Sequence, residues 1–164
     1  MSRPLKSLPP VAELVPHGPP MLAVDELLEC EPGRALARLV VREQPFGRDG
    51  RVDTLVLIEL MSQVVAACLG HEARREGAAI RVGMVVACKE LVLARPFVAV
   101  GEELLVRVER RQGTEQVSQF ETEACGADGA LVARAALTLV HGPSLAAPRE
   151  VEPAQRSHAG QQPG

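Results

Sequence analysis

Two hydrophobic patterns share this chain: short runs in which apolar and polar residues alternate, and one long run that is apolar almost throughout. Alternation with a period of two marks half-buried strands. Ala35 to Glu43 shows it, with Leu36, Arg38 and Val40 on one side and Ala37, Leu39 and Val41 on the other. Met21 to Cys30 reads as a strand ahead of it, and the Glu31-Pro-Gly33 turn joins the two as a hairpin. The long run, Thr54 to Gly70, predicts a buried helix, with Asp53 or Thr54 as its N-cap. Gly70 is expected to loosen that helix, with a polar continuation toward Gly77, and residues 44–52 read as a loop. Downstream, Ile80 to Leu93 is β-rich but interrupted at Lys89-Glu90. Glu103 to Arg111 and Glu115 to Cys125 flank Gln112-Gly113, and Ala130 to His141 follows the hairpin signal Ala127-Asp-Gly129.

The order is strand, strand, long helix, then four antiparallel strands. It predicts an α+β fold in which a curved antiparallel sheet wraps a central helix. One sheet leaves edges and part of the helix uncovered, so a dimer is expected. The domain spans residues 14–142. Residues 1–13 read as a Pro-rich irregular lead-in, and residues 143–164, rich in Pro, Ala, Gln and Gly, as a disordered tail.

Composition narrows the class. The net charge of −3 argues against nucleic-acid binding, and three phenylalanines with no Tyr or Trp remove the stacking platforms of single-strand binders. Cys30, Cys68, Cys88 and Cys125 have no C-x-x-C spacing and read as reduced, buried thiols. His17, His71, His141 and His158 show no metal-ligand spacing, so no metal is expected. The N-terminus lacks the apolar stretch of a signal peptide. The long run is slightly short for a membrane span and carries Glu59, Ser62 and Gln63, so a core helix in a cytoplasmic protein is the expectation.

Glu59 is the outstanding residue of that helix. An ionised carboxylate among apolar residues is expensive without a partner, and burial favours its neutral form. Gln63 lies four residues on, on the same face, with Ser62 beside it. One polar stripe on an apolar helix suggests a site; the alternative is a buried Glu satisfied by Gln63 and backbone donors.

Several segments together resemble one family. Leu14-Val-Pro-His17-Gly-Pro-Pro-Met-Leu-Ala-Val-Asp25 looks like the opening of the β-hydroxyacyl-acyl-carrier-protein dehydratases, and Val56-Leu-Ile-Glu59-Leu-Met-Ser-Gln63 resembles their central helix. Gly83 to Leu91, Pro96 to Leu104 and Asp128-Gly129 resemble their later strands and last hairpin. The resemblance spans residues 14–142 and implies the hot-dog fold. The family's Gly-His-Phe-Pro-Gly is not kept: counted back from Glu59, its His falls on Pro45 and its Phe on Phe46, and the helix-opening Pro-Gly falls on Asp53-Thr54. The chain therefore looks closest to the divergent dehydratase-like subfamily of aryl-polyene gene clusters.

That resemblance implies dehydration of a 3-hydroxyacyl thioester carried on the phosphopantetheine of an acyl carrier protein or coenzyme A, with no resident cofactor. Glu59 is the expected acid or shuttling acid/base, and His17 the candidate base; a structural His17 near the entry of the first strand is the alternative. Backbone N–H groups at Thr54 and Leu55 are candidates to polarise the thioester carbonyl, with Gln63 and Phe46 as further substrate contacts. His71, about 18 Å along the helix from Glu59, is too distant and reads as an exposed helix-end residue. Arg74, Arg75, Arg107, Arg110 and Arg111 form either a solvated face or a surface for an acidic carrier protein or a phosphopantetheine phosphate. The dimer is either a homodimer or a pair with another hot-dog chain. Two rival functions follow: a non-catalytic hot-dog subunit that binds acyl chains or pairs with an active dehydratase, and an acyl-thioester hydrolase.

Overall fold

The computed structural model describes residues 8–45 and 47–142. Six strands form one antiparallel sheet: β1 (Glu26–Glu31), β2 (Arg34–Val40), β4 (Gly83–Leu93), β6 (Glu103–Gly113), β7 (Val117–Gly126) and β8 (Leu131–His141), ordered β1-β2-β6-β7-β8-β4. A second sheet pairs β3 (Arg51–Asp53) with β5 (Phe97–Ala99). The helix α1 (Leu57–Arg75) follows a 3-10 turn at Thr54–Val56 and packs on β1, β2, β6, β7 and β8. This is the hot-dog architecture that the sequence patterns and the resemblance predict.

The sheet forms where alternation is cleanest. In β7 and β8 alternate residues are buried, and Phe120, Ala124, Leu137 and Leu139 join Leu39, Leu104, Met61, Val64 and Val65 in one core. Gly129, at φ +81°, supplies the left-handed residue of the β7–β8 hairpin, where the Gly126 N–H donates to the Ala130 carbonyl. The β6–β7 turn falls at Thr114–Gln116, slightly beyond the expected Gln112-Gly113, because the Thr114 hydroxyl accepts from the Gln116 and Val117 N–H groups.

Four local expectations change. The first strand starts at Glu26 rather than Met21, because the Met21 carbonyl and Ala23 N–H are bonded to the Gln63 amide instead of a neighbouring strand. The segment expected to be wholly loop contributes β3, whose partner β5 lies far along the chain. Gly70 does not loosen α1; it is buried mid-helix, and a Cβ there would overlap the Leu14 carbonyl oxygen. The core also begins earlier than expected, since Val11 is buried alongside Leu14. The tail at 143–164 lies outside the described residues.

By length and composition Thr54–Arg75 would suffice to cross a bilayer, but 56% of its most apolar window is buried inside the fold. One face at helical spacing is less covered: Leu55 and Glu59 are exposed, and Ile58, Ser62 and Ala66 are partly buried. The edge strand β4 is largely uncovered as well. Val82, Met84, Val86, Leu91, Val92 and Leu93 are exposed there, and Phe97 nearby on β5. Glu90 adopts φ +52° where the β4–β8 register shifts, a bulge at the Lys89-Glu90 interruption.

Candidate active site at the start of the central helix

The helix start is built by a cap and a crossing strand. Asp53 is the N-cap, and its Oδ1 accepts from the Leu55 N–H at 2.8 Å. The Thr54 N–H donates to the Pro96 carbonyl at 2.9 Å, which ties the helix start to the β5 connection. Both N–H groups are therefore occupied, and the expectation that Thr54 and Leu55 polarise a thioester carbonyl through them does not hold for this conformation. Thr54 itself is fully buried, and its Oγ1 has no hydrogen-bond partner. Leu55 is exposed.

One turn further, Glu59 faces outward. Its side chain is 49% exposed in the single chain. The premise of a buried carboxylate is thus corrected: the sheet covers the opposite side of α1 and leaves the Glu59 stripe open. Ser62 does not reach the carboxylate; its hydroxyl donates to the Glu59 backbone carbonyl at 2.7 Å.

His17 and Glu59, 42 residues apart in sequence, meet here. His17 Nε2 lies 3.9 Å from Glu59 Oε1, with the histidine side chain 32% exposed. That separation exceeds a direct hydrogen bond. His17 Nδ1 is buried without a partner.

Gln63 organises the pair. Its amide is fully buried. Nε2 donates to Glu59 Oε1 at 3.0 Å and to the Met21 carbonyl at 2.8 Å, while Oε1 accepts from the Ala23 N–H at 2.9 Å. One side chain thus fastens the His17-bearing segment to the helix and holds one Glu59 oxygen.

Two residues that sequence reasoning passed over as functional brace the same segment. Asp25 accepts from the Val40 N–H at 2.7 Å and pairs with Arg42, and Arg42 also donates to the Ala23 carbonyl at 3.2 Å. Asp25 stood inside the quoted opening motif, which was a signal; Arg42 had none. Phe46 lies outside the described residues.

The other candidates sit elsewhere. His71, four residues before the end of α1, is half-buried rather than exposed, with Nδ1 buried and unpartnered. His141 Nε2 lies 2.9 Å from the Ser118 hydroxyl, away from Glu59. Arg74, Arg110 and Arg111 are taken up by Glu13, Glu72 and Glu121. Among the thiols, Cys68 is buried, Cys30 and Cys125 are partly covered, and Cys88 is exposed on the edge strand, contrary to the uniformly buried expectation. Among the described residues, no three His, Cys, Asp or Glu side chains are grouped to hold a metal ion.

Comparison with known proteins agrees with this architecture. A chain of the dehydratase heterocomplex ApeI:P from Xenorhabdus doucetiae superposes with a TM-score of 0.78 at 20% identity, over 83% of this chain and 93% of that one. A hypothetical thioesterase solved with coenzyme A from Streptococcus pneumoniae TIGR4 follows at TM-score 0.58 and 12% identity, over 73% and 86% of the two chains. The PaaI protein from the Escherichia coli phenylacetic acid degradation operon gives TM-score 0.55 at 18% identity, over 70% and 80%. At these identities the likeness shows the fold. No curated protein sequence matches the chain. The ApeP-like profile, described as ApeP dehydratase, matches residues 9–149. The chain therefore belongs to the ApeP-like dehydratase family and has the hot-dog fold.

Proposed function

We propose that this chain dehydrates 3-hydroxyacyl thioesters, carried on acyl-carrier-protein phosphopantetheine or on coenzyme A, to 2-enoyl thioesters and water. The observation that carries the reading is the 3.9 Å approach of His17 Nε2 to Glu59 Oε1. The two groups are not hydrogen-bonded to each other and are close enough to reach neighbouring atoms of one substrate. Neutral His17 takes the proton alpha to the carbonyl; Glu59, in its acid form, protonates the departing 3-hydroxyl, so the C–O bond breaks as the double bond forms. The proton on His17 then returns to Glu59 and completes the cycle. Gln63, fixed by two backbone groups, orients the carboxylate.

A second hot-dog chain completes the site in this proposal. The exposed Leu55 beside Glu59 and the apolar edge at β4 are both surfaces that water solvates poorly. Covering them would exclude water from the His17–Glu59 pair. The heterocomplex of the structural relative makes a different hot-dog chain a reasonable partner, and a second copy is the other outcome. Association of this kind would occur in the cytoplasm, where carrier-bound acyl chains are made.

The test is mass spectrometry of a 3-hydroxyacyl carrier protein incubated with the wild type and with Glu59→Gln. Loss of water with the wild type only supports the proposal. No loss of water, alone and with a co-expressed hot-dog partner, supports the non-catalytic subunit reading. Release of free acid without enoyl product supports hydrolysis, the activity class named for some of the structural neighbours.

A further inference from the structure

A second pocket lies toward the other end of α1 from the His17–Glu59 pair, about 20 Å along the helix axis at Glu72. It holds a cavity of about 330 Å³ between the last turns of α1, the residues ahead of β4, the β6–β7 turn and the end of β8. Polar groups converge there. Ser118 is buried, and its Oγ lies 2.9 Å from His141 Nε2. A Cβ at Gly113 would lie 3.2 Å from Ser118 Oγ and 3.4 Å from Arg110 Cδ, so the missing side chain leaves the corner between hydroxyl and arginine clear. Arg81 lines the same pocket, its Nη1 donating to the Glu115 carbonyl at 3.1 Å. We propose that this pocket binds a small organic acid, whose carboxylate is held by Ser118, Arg110 and Arg81.

Arg110 is only partly used by the fold. Its Nη2 donates to Glu72 Oε2 at 2.6 Å, and its guanidinium lies 5.3 Å from the centre of the Phe120 ring, which orients it. Its Nε is buried and has no hydrogen-bond partner among the described residues. A buried N–H left unpaired is costly, and a carboxylate oxygen satisfies it with a charge-assisted bond. Glu72 is engaged at both oxygens, since its Oε1 accepts from the Gly33 N–H at 2.5 Å. The rim decides the charge of the ligand. Glu76 and Glu115 are exposed there, and the C-terminus of α1 adds partial negative charge. A singly charged carboxylate meets less repulsion than a doubly charged phosphate. Leu69, Ala73 and Ala78 supply an apolar wall for a short hydrocarbon body.

Binding is coupled to a proton at His141. That histidine is held below its ordinary value, chiefly by burial and then by Arg110 and Arg81. Neutral His141 accepts the Ser118 hydroxyl proton at Nε2; protonated His141 donates to Ser118 Oγ and turns the hydroxyl toward the carboxylate. An anion beside the two arginines offsets their repulsion of the imidazolium. Binding therefore raises the His141 midpoint, and affinity grows as pH falls through it. The site does not involve Glu59 and stands whether or not the chain is a dehydratase.

The test follows the His141 imidazole of the full-length protein by NMR, assigned with His141→Gln, while butyrate, inorganic phosphate or chloride is added at constant ionic strength. Butyrate should saturate and raise the His141 midpoint by about one pH unit, with His71 unmoved. Gly113→Ala adds only a methyl group and needs no left-handed backbone; Arg81→Gln changes an exposed residue. Each should weaken butyrate binding about tenfold with the circular dichroism unchanged. An equal response to chloride, or undiminished butyrate binding by the Gly113→Ala variant, would overturn the site. Tighter binding of phosphate than of butyrate would overturn the carboxylate assignment.

Discussion

Replacing Gln63 by Leu tests whether one buried amide sets the geometry of the site. Leu has a similar volume and suits the apolar surroundings, so the change removes polarity with little change in packing. Three hydrogen bonds disappear, to Ala23 N, Met21 O and Glu59 Oε1. Leaving a buried donor or acceptor unpaired costs roughly 1–3 kcal/mol each. Met21 is exposed and Glu59 half-exposed, so water can take over much of their loss; Ala23 N–H bears the larger penalty. Burying apolar atoms in place of the amide offsets about 1 kcal/mol. The net cost is about 2–3 kcal/mol, a melting-temperature drop of roughly 6–12 °C in a domain of this size. Thermal unfolding followed by circular dichroism measures it. Dehydration assayed well below the melting point should fall further than stability does, by about 10- to 100-fold in kcat, because the segment carrying His17 loses its tie to α1. A variant that melts within about 1 °C of wild type and dehydrates within about twofold would refute the argument that this amide organises the site.

Three further outcomes follow from the same structure. Gly70→Ala places a methyl group against the Leu14 carbonyl, so strain of about 3 kcal/mol or more outweighs the roughly 1 kcal/mol gain in helix propensity, and urea midpoints should fall. Val86→Lys puts a charge on the apolar β4 edge and should shift the protein toward monomer in light scattering, with the fold unchanged by circular dichroism. His71 and His141 are both held below the ordinary histidine value of 6.5, chiefly by burial, so each protonates more readily in the unfolded chain. Their contribution to stability is complete above 6.5 and is lost as pH falls below it. Urea midpoints of the wild type should therefore drop more between about pH 7.5 and pH 5.5 than those of the His71→Gln/His141→Gln double variant.

The sequence by itself determined the features that local chemistry controls. Alternation in residues 35–43 and 130–141 specifies strands because the side-chain period of a strand is two. Ala127-Asp-Gly129 specifies a hairpin because glycine accepts positive φ, and Asp53 specifies a helix start because its carboxylate can reach the Leu55 N–H. The His17–Glu59 pairing was legible only through the family's motifs, since no spacing rule joins residues 42 positions apart.

Tertiary structure alone decided the rest. The β3–β5 pair joins two three-residue strands too short to signal themselves. Gly70 reads as a helix weakness until Leu14 is seen against it; the close approach, not flexibility, requires the missing side chain. Glu59 sits in an apolar run that predicts burial, but one six-stranded sheet covers only one side of α1 and leaves the Leu55–Glu59–Ser62 stripe open. The Thr54 N–H is claimed by the Pro96 carbonyl, a competition invisible until the chain folds back. Burial and hydrogen-bond occupancy are properties of what surrounds a residue, and that is set by contacts between segments distant in the chain.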